Sequence, residues 1–269
     1  MSEPIKTRET GYAAVNGLQM YYEIHGEEQP LVLLHGAFSA TGTSFGKIIP
    51  GLSRRRRVIA FELQGHGRTA DIDRPMSMEA MADDVAAALQ QMAIRQADIL
   101  GYSMGAGVAL QIAIRHPEVV RKLVLASGTY TLEWLHPGLM EGLGEMSPKM
   151  MYGSPWHEEY RRIAPDPEGF DNLFHKKTEM DRQTRDIPAE TIRSIQAPTL
   201  LIVGDSDIVR PEHAVEMFRL LGGGVMGDSP AGLPDSQLAI LPGTSHVSLV
   251  DRAELLVPMV TAFLEKPVK

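Results

Sequence analysis

Ser103 lies in a segment that is typical of an activated nucleophile. The segment is GYSMG at residues 101–105, a G-x-S-x-G motif. It follows an apolar run and precedes a helical pattern, which is the strand–turn–helix context that this motif requires. Small residues two before and two after the serine permit a strained turn and leave room for a substrate. We therefore predict that Ser103 attacks a carbonyl carbon.

A nucleophilic serine needs donors for the oxyanion that develops during attack, and two backbone amides are placed to provide them. The helix predicted to begin at Met104 directs its free amides toward the serine, so the amide of Met104 is one expected donor. The other comes from HGAF at 35–38, which closes the first long apolar strand. We favour the amide of Ala37, with that of Phe38 as the alternative. We expect His35 to shape this loop through backbone hydrogen bonds.

The serine also needs a general base, and the base needs a carboxylate that orients it. Of the nine histidines, only His246 follows a predicted strand and precedes an amphipathic helix. Asp205 and Asp207 both follow the apolar run TLLIV and are the candidate acids. We favour Asp207, because Asp205 comes directly off the strand and is expected to accept amide hydrogen bonds from the loop. The predicted catalytic residues are therefore Ser103, Asp207 and His246, in that order.

Other chemistries have less support in the sequence. The segment GHGRTA at 65–70 matches G-x-G-x-x-A, but it follows neither the first strand nor a βαβ opening, so we expect a structural loop. The chain has no cysteine, no histidine pair at i and i+4, and no H-x-H-x-D cluster. We therefore predict neither a metal site nor a cofactor.

The elements that must position these residues follow an α/β pattern. Residues 11–24 alternate in polarity around Asn16-Gly17, which predicts an N-terminal hairpin. Short apolar runs then recur at 31–36, 57–62, 97–103, 122–128, 199–205 and 237–243. Helical patterns lie between several of them, one with Ser77 as its expected N-cap. Alternation of buried strands with helices predicts a doubly wound, mostly parallel sheet, with sites at the carboxyl ends of the strands.

One long stretch has no strand-like run. Between residues 131 and 197, methionines and aromatic residues are scattered among prolines and glycines, which predicts a helical cap inserted between two strands. Residues 1–130 and 198–269 are then the α/β core. Flexible apolar side chains of the cap suit the wall of an adaptable pocket. The Gly/Pro-rich segment 222–234 is expected to border the same pocket.

Five segments resemble the α/β-hydrolase fold family and occur in the family's order. They are HGAF at 35–38, GHGRT at 65–69, GYSMG at 101–105, GDSDIVRP at 204–211 and PGTSH at 242–246. The resemblance extends over essentially the whole chain. It implies Ser103 as nucleophile, Asp207 as acid, His246 as base, and the amides of Ala37 and Met104 as oxyanion hole.

Two features depart from the pattern of that family. Glu62 stands where relatives usually have aspartate, and 39 positions (246 minus 207) separate the predicted acid from the predicted base. The serine motif is similar to those of cofactor-free esterases and perhydrolases, enol-lactonases, carbon–carbon bond hydrolases and acyl-homoserine lactonases. The resemblance alone therefore leaves the substrate class open.

The expected activity is hydrolysis of carboxylic esters or lactones through an acyl-enzyme. The apolar cap favours neutral substrates with an apolar acyl or aromatic part, and the resemblance adds acyl-homoserine lactones to this class. The alternatives are a carbon–carbon bond hydrolase or a cofactor-free perhydrolase on the same three residues. A non-catalytic receptor for a small molecule is the alternative from another class.

Charge and hydropathy bear on the partners and the location. The net charge is −8, from 26 Lys and Arg against 34 Asp and Glu, which disfavours binding to nucleic acid or to an anionic membrane. No apolar run reaches the ~18 residues that span a bilayer, and a cytoplasmic location is expected. The basic run Arg54 to Arg57 is expected to be a solvated helix end. The oligomeric state is not predicted.

Overall fold

The computed structural model describes residues 9–230 and 232–267, which form an eight-stranded sheet flanked by helices. The strands are β1 (Glu9–Val15), β2 (Leu18–His25), β3 (Pro30–Leu34), β4 (Arg57–Phe61), β5 (Ala97–Tyr102), β6 (Val120–Ala126), β7 (Thr199–Ser206) and β8 (Gln237–Ser245). Their order in the sheet is β1-β2-β4-β3-β5-β6-β7-β8. The pairs β1–β2 and β2–β4 are antiparallel and all others are parallel. The predicted mostly parallel sheet is confirmed.

The α-helices connect these strands. They are α1 (Thr41–Phe45), α2 (Ile49–Leu52), α3 (Met78–Gln91), α4 (Met104–Arg115), α5 (Leu139–Glu145), α6 (Pro155–Ile163), α7 (Phe170–Gln183), α8 (Ala189–Arg193), α9 (Pro211–Leu220) and α10 (Ala253–Glu265). Single 3₁₀ turns lie at Pro117–Val119, Leu132–Trp134, Pro148–Met151 and Leu249–Asp251. No helix among these is long and apolar enough to cross a membrane.

Local sequence explains the hairpin and the helix start that were predicted. Asn16 and Gly17 take φ values of 48° and 83°, the left-handed region that a two-residue hairpin turn needs. The hydroxyl of Ser77 accepts a hydrogen bond from the amide of Ala80, which satisfies one free donor at the start of α3. Both expectations are confirmed.

Helices on the two faces of the sheet bury two separate apolar layers. Val85 of α3 and Val108 of α4 pack into the layer on one face. Phe45 of α1 and Phe263 of α10 belong to the layer on the other face. The central strands are therefore covered on both sides, and β5 is buried at every residue. This accounts for the continuous apolar runs of the sequence.

The segment between β6 and β7 is helical, and it lies over the carboxyl ends of the strands. It contacts the core through the carboxylate of Glu159, which accepts a hydrogen bond from the amide of Thr43. It also contacts the core through Phe174, whose ring stacks on that of Phe38 at 5.5 Å between centroids. The division into a core and a cap at residues 131 and 197 stays a prediction.

Candidate active site

Ser103 occupies a strained turn between β5 and α4. Its φ of 55° and ψ of −118° lie in a region that side-chain-bearing residues rarely adopt. The neighbouring glycines make this turn possible, because a Cβ on Gly101 would lie 2.1 Å from the carbonyl oxygen of Gly105. A Cβ on Gly105 would lie 2.0 Å from the carbonyl oxygen of Leu34. The tight packing of the turn holds the serine hydroxyl outward, above the sheet.

The structure brings Ser103, His246 and Asp207 into one hydrogen-bonded chain. The Oγ atom of Ser103 lies 2.8 Å from Nε2 of His246, and Nδ1 of His246 lies 2.8 Å from Oδ1 of Asp207. An imidazole with its proton on Nδ1 donates to Asp207 and accepts the hydroxyl proton of Ser103. This is the arrangement in which a histidine can act as general base toward a serine.

Asp207 is held rigidly and is 2% exposed. Besides His246, its carboxylate accepts hydrogen bonds from the hydroxyl of Ser127 and from the amide of Val209. Burial raises the pKa of Asp207, but the hydrogen bond and the charge of His246, together with these donors, outweigh burial and leave the pKa below its usual value. The carboxylate therefore stays ionised beside the imidazole.

Asp205, the other candidate acid, serves a different contact. Its carboxylate oxygens accept hydrogen bonds from the amides of Gly243, at 2.9 Å, and Thr244, at 3.1 Å. These two bonds join the end of β7 to the segment that leads to His246, and they lower the pKa of Asp205. Asp205 thus accepts loop amides, as its position at the strand end led us to expect.

Two contacts at the site were not predicted from the sequence. The hydroxyl of Ser127 donates to Asp207, and the hydroxyl of Tyr102 donates to the backbone oxygen of His246 at 2.8 Å. The ring of Tyr102 also packs against the imidazole, with 5.4 Å between centroids. Ser127 follows β6 at its carboxyl end, a position that could have suggested it. Nothing in the sequence indicates that Tyr102 faces His246.

The two amides predicted to form the oxyanion hole lie at the same pocket as Ser103. Ala37 and Met104 both line it, and a Cβ added to Gly36 would lie 3.4 Å from the Cβ of Ser103. Across residues 9–230 and 232–267, neither amide donates a hydrogen bond to the protein. The amide of Phe38 donates none there either, so the choice between Ala37 and Phe38 stays a prediction.

His35 and Glu62 support the loops beneath the site. His35 is fully buried; its Nδ1 contacts the carbonyl oxygen of Gly36 and its Nε2 accepts from the amide of Leu63. Burial lowers the pKa of His35 to about 4, so the ring is neutral. Glu62, which departs from the family's aspartate, accepts hydrogen bonds from the amide and the guanidinium of Arg68. The segment GHGRT is therefore a structural loop that Glu62, at the end of β4, holds through Arg68 and Thr69.

A pocket of about 720 Å³ opens above Ser103 and His246, and cap residues form most of its upper wall. Its apolar lining from the cap includes Leu135, Leu139, Met140, Leu143, Met146, Met151, Trp156, Phe174 and Met180. Met150 does not contribute, because it points outward and is 68% exposed. The expectation that the segment 222–234 borders the pocket is wrong for its described residues, which are absent from the lining. That segment follows α9 at the far edge of the sheet, beside β8.

Metal chemistry has no site in the described parts of the chain. No group of three or more His, Cys, Asp or Glu side chains within residues 9–230 and 232–267 could hold an ion.

Known proteins share the fold of this chain. A family model described as the α/β-hydrolase fold matches residues 29–178. A pimeloyl-acyl-carrier-protein methyl ester esterase from Yersinia enterocolitica is 30% identical over 92% of this chain and 98% of its own length. The chain therefore belongs to the α/β-hydrolase fold family.

Solved structures show the same fold at lower identity. A meta-cleavage product hydrolase from Pseudomonas fluorescens has a TM-score of 0.74 at 22% identity, over 96% of this chain and 97% of its own. An enol-lactonase from Burkholderia xenovorans has a TM-score of 0.71 at 20% identity, over 95% of this chain and all of its own. The names of these relatives state different activities, so the family alone does not identify the substrate.

Proposed function

We propose that this protein is a serine hydrolase that cleaves carboxylic esters or lactones of neutral, apolar substrates, including acyl-homoserine lactones, through an acyl-enzyme. The observation that carries the proposal is the chain of 2.8 Å contacts from Ser103 through His246 to Asp207 at the floor of a pocket. His246 takes the serine proton as Ser103 attacks the carbonyl carbon. The developing oxyanion accepts hydrogen bonds from the amides of Ala37 and Met104.

The second half of the reaction uses the same groups. His246 gives the proton to the leaving alkoxide, which departs from the tetrahedral intermediate and leaves Ser103 acylated. His246 then takes a proton from water as the water attacks the acyl carbon, and it gives that proton to Oγ of Ser103 as the bond between Ser103 and the acyl group breaks and the acid is released. Asp207 orients the ring and stabilises the imidazolium in both steps. In a lactone the alkoxide and the acyl group belong to one molecule, so the ring opens in the first step.

The apolar lining from the cap supports the neutral substrate class. A pocket of about 720 Å³ lies within the range of small-molecule sites, and its methionines and Trp156 contact apolar groups well. Arg182 and Arg185 of the lining are exposed, so water screens their charges. Lys177 is buried there, but its charge is paired with that of Asp181. The name of the Yersinia relative, a methyl ester esterase, supports ester hydrolysis.

Turnover of 4-nitrophenyl esters of increasing chain length and labelling by a fluorophosphonate test the proposal. Wild-type protein should hydrolyse the esters and label at Ser103, whereas Ser103→Ala should do neither. Ser147→Ala is the matched control, because Ser147 is exposed in the cap and lies outside the pocket lining. Wild-type turnover in Ser103→Ala would refute the proposal. Absence of labelling and turnover in the wild type would favour a receptor.

The same assay separates ester hydrolysis from carbon–carbon bond hydrolysis. Acyl lactones and a dianionic vinylogous diketo acid are added to the panel at equal concentration. The proposal expects the highest kcat/KM on a neutral ester or lactone. The highest value on the dianion would contradict it and favour the carbon–carbon reaction.

A further inference from the structure

An ion pair between a buried lysine and a half-buried aspartate lies in the cap wall of the pocket, beside apolar side chains. Lys177 of α7 is only 8% exposed, and both carboxylate oxygens of Asp181 lie 2.6 Å from its Nζ. Both residues line the pocket that contains Ser103. Loss of hydration at the buried ammonium offsets part of the attraction, and solvent at the half-buried Asp181 weakens the rest, so the pair contributes little net stability to the cap. Its place in the pocket wall suggests a role toward the ligand.

The neighbouring Lys176 shows what a structural lysine looks like in the same helix. Its Nζ contacts the carboxylate of Asp71 and the carbonyl oxygens of Ile72 and Arg74, so three acceptors surround its three N–H groups. It joins the cap to the core and does not line the pocket. In the described chain, Lys177 has only the carboxylate of Asp181 as acceptor. One of its N–H groups therefore has no hydrogen-bond acceptor among residues 9–230 and 232–267.

The ammonium of Lys177 lies close to the loop proposed to hold the oxyanion. Its Nζ is 5.9 Å from the ring centroid of Phe38, which follows Ala37 in the chain. Phe38 has a φ of 60°, and its ring stacks on Phe174, one turn before Lys177 in α7. The ammonium of Lys177 therefore lies over the ring of the residue next to Ala37, in the wall of the pocket that contains Ser103.

We propose that Lys177 is a specificity-determining residue that donates a hydrogen bond to an uncharged acceptor in the substrate, a ketone or amide carbonyl near the scissile ester. Asp181 neutralises the ammonium, so the pair presents a donor without net positive charge. A substrate carboxylate at this place would lose its hydration, meet the charge of Asp181 and gain no net attraction. The pair therefore selects neutral acceptors over carboxylates. This inference rests on the proposed ester or lactone hydrolysis.

The test compares keto esters with plain esters. Each substrate of a series of 4-nitrophenyl oxoalkanoates, with the ketone at successive chain positions, is measured beside the alkanoate of the same length. A parallel series of alkanoyl esters of hydroxyketones places the ketone in the alcohol. The preferred position is the one at which the wild type gives the highest ratio of kcat/KM for the keto ester to kcat/KM for the plain ester. At that position, Lys177→Met should lower this ratio by about 10- to 100-fold, which is the effect of one hydrogen bond from a charged donor.

Lys149→Met is the matched control, because it removes the same charge from an exposed position of the cap outside the pocket lining. Its ratios should equal those of the wild type. Equal losses on keto and plain esters in Lys177→Met would show that Lys177 only supports Phe38 and would overturn the inference. Ratios that Lys177→Met leaves unchanged at every ketone position in both series would also overturn it.

Asp181→Asn tests the second half of the inference. It removes the neutralising charge and leaves the ammonium of Lys177 in the pocket wall. The kcat/KM for half-esters of dicarboxylic acids, relative to the keto esters, should rise by at least about tenfold. No rise in a variant that keeps its circular dichroism spectrum and its Tm would contradict the neutralising role. A wild type that hydrolyses no ester would instead refute the proposed function.

Discussion

Replacing Asp207 by asparagine tests how the site orients its base. The wild-type carboxylate accepts from Nδ1 of His246 at 2.8 Å and from the hydroxyl of Ser127. An asparagine with its NH₂ toward His246 forces the proton onto Nε2, which then cannot accept the proton of Ser103. An asparagine with its oxygen toward His246 keeps the tautomer but removes the charge that stabilises the imidazolium. Both arrangements impair the proton transfer.

The expected loss in kcat is on the order of 10⁴, which corresponds to about 5 kcal/mol of transition-state stabilisation. The lowered pKa of Asp207 keeps the wild-type carboxylate ionised from about pH 5 to about pH 9, so its protonation does not contribute to the loss in this range. The measurement is the hydrolysis of a 4-nitrophenyl ester across this range, with circular dichroism to verify that the variant is folded.

Asp205→Asn is the matched control two residues earlier. Its carboxylate accepts only loop amides and the neighbouring hydroxyl of Ser206, so kcat should stay within about tenfold of the wild type, with a lower Tm. Equal losses in the two folded variants, or a larger loss in Asp205→Asn, would refute the assignment of Asp207.

Three further predictions concern the surroundings of the site. Tyr102→Phe removes the donor to the backbone oxygen of His246 and should lower kcat by about tenfold and stability by about 1 kcal/mol, without a change in the pH profile. Gly105→Ala places a Cβ 2.0 Å from a backbone oxygen and should prevent correct folding, whereas Gly142→Ala, with nothing within 4 Å, should raise stability by about 0.5 kcal/mol. Burial lowers the pKa of His66 to about 3, so the unfolded chain binds its proton first as the pH falls below about 6.5. His66 should then lower the free energy of unfolding by about 1.4 kcal/mol for each pH unit below that value. The free energy of unfolding of His66→Asn should therefore depend less steeply on pH, which denaturant unfolding at pH 7 and pH 5 would show.

Each of these three has a contradicting outcome. A shift in the pH profile of kcat in Tyr102→Phe would mean that the Tyr102 hydroxyl changes the pKa of a titrating group in the site. A folded, active Gly105→Ala would mean that the turn can open without cost. His175→Gln is the control for the histidine experiment, because His175 is exposed in α7. An equal change in slope in both histidine variants would contradict burial as the cause.

The fold was largely predictable because its signals are local. Each buried strand of a parallel sheet must be apolar along its length, and each crossing helix must be apolar on one side, so both leave periodic patterns in the sequence. The hairpin at Asn16-Gly17 and the start of α3 at its N-cap residue Ser77 follow from the same local rules. The position of the segment 222–234 was not predictable, because glycine and proline indicate a loop but not the element it lies beside.

The charges show the limit of local reasoning most clearly. Arg56 was expected to be solvated as part of a basic run, and that expectation is wrong. It is 7% exposed, and its guanidinium donates to the carboxylate of Asp98 in β5. The partner lies 42 residues away in the chain, so no neighbouring residue indicates the contact.

The sequence by itself determined the residue types that can do chemistry and the strand ends that carry them. Ser103, Asp207 and His246 each follow a strand of one sheet, and parallel strands bring their carboxyl ends to one edge. Only the tertiary structure decided which groups meet there: which aspartate contacts the imidazole, that Tyr102 holds its backbone, and that Lys177 faces the pocket while Lys176 does not. Periodicity specifies which way a side chain points from its own element. The contacts depend on how elements distant in the chain pack together, and no local pattern records that.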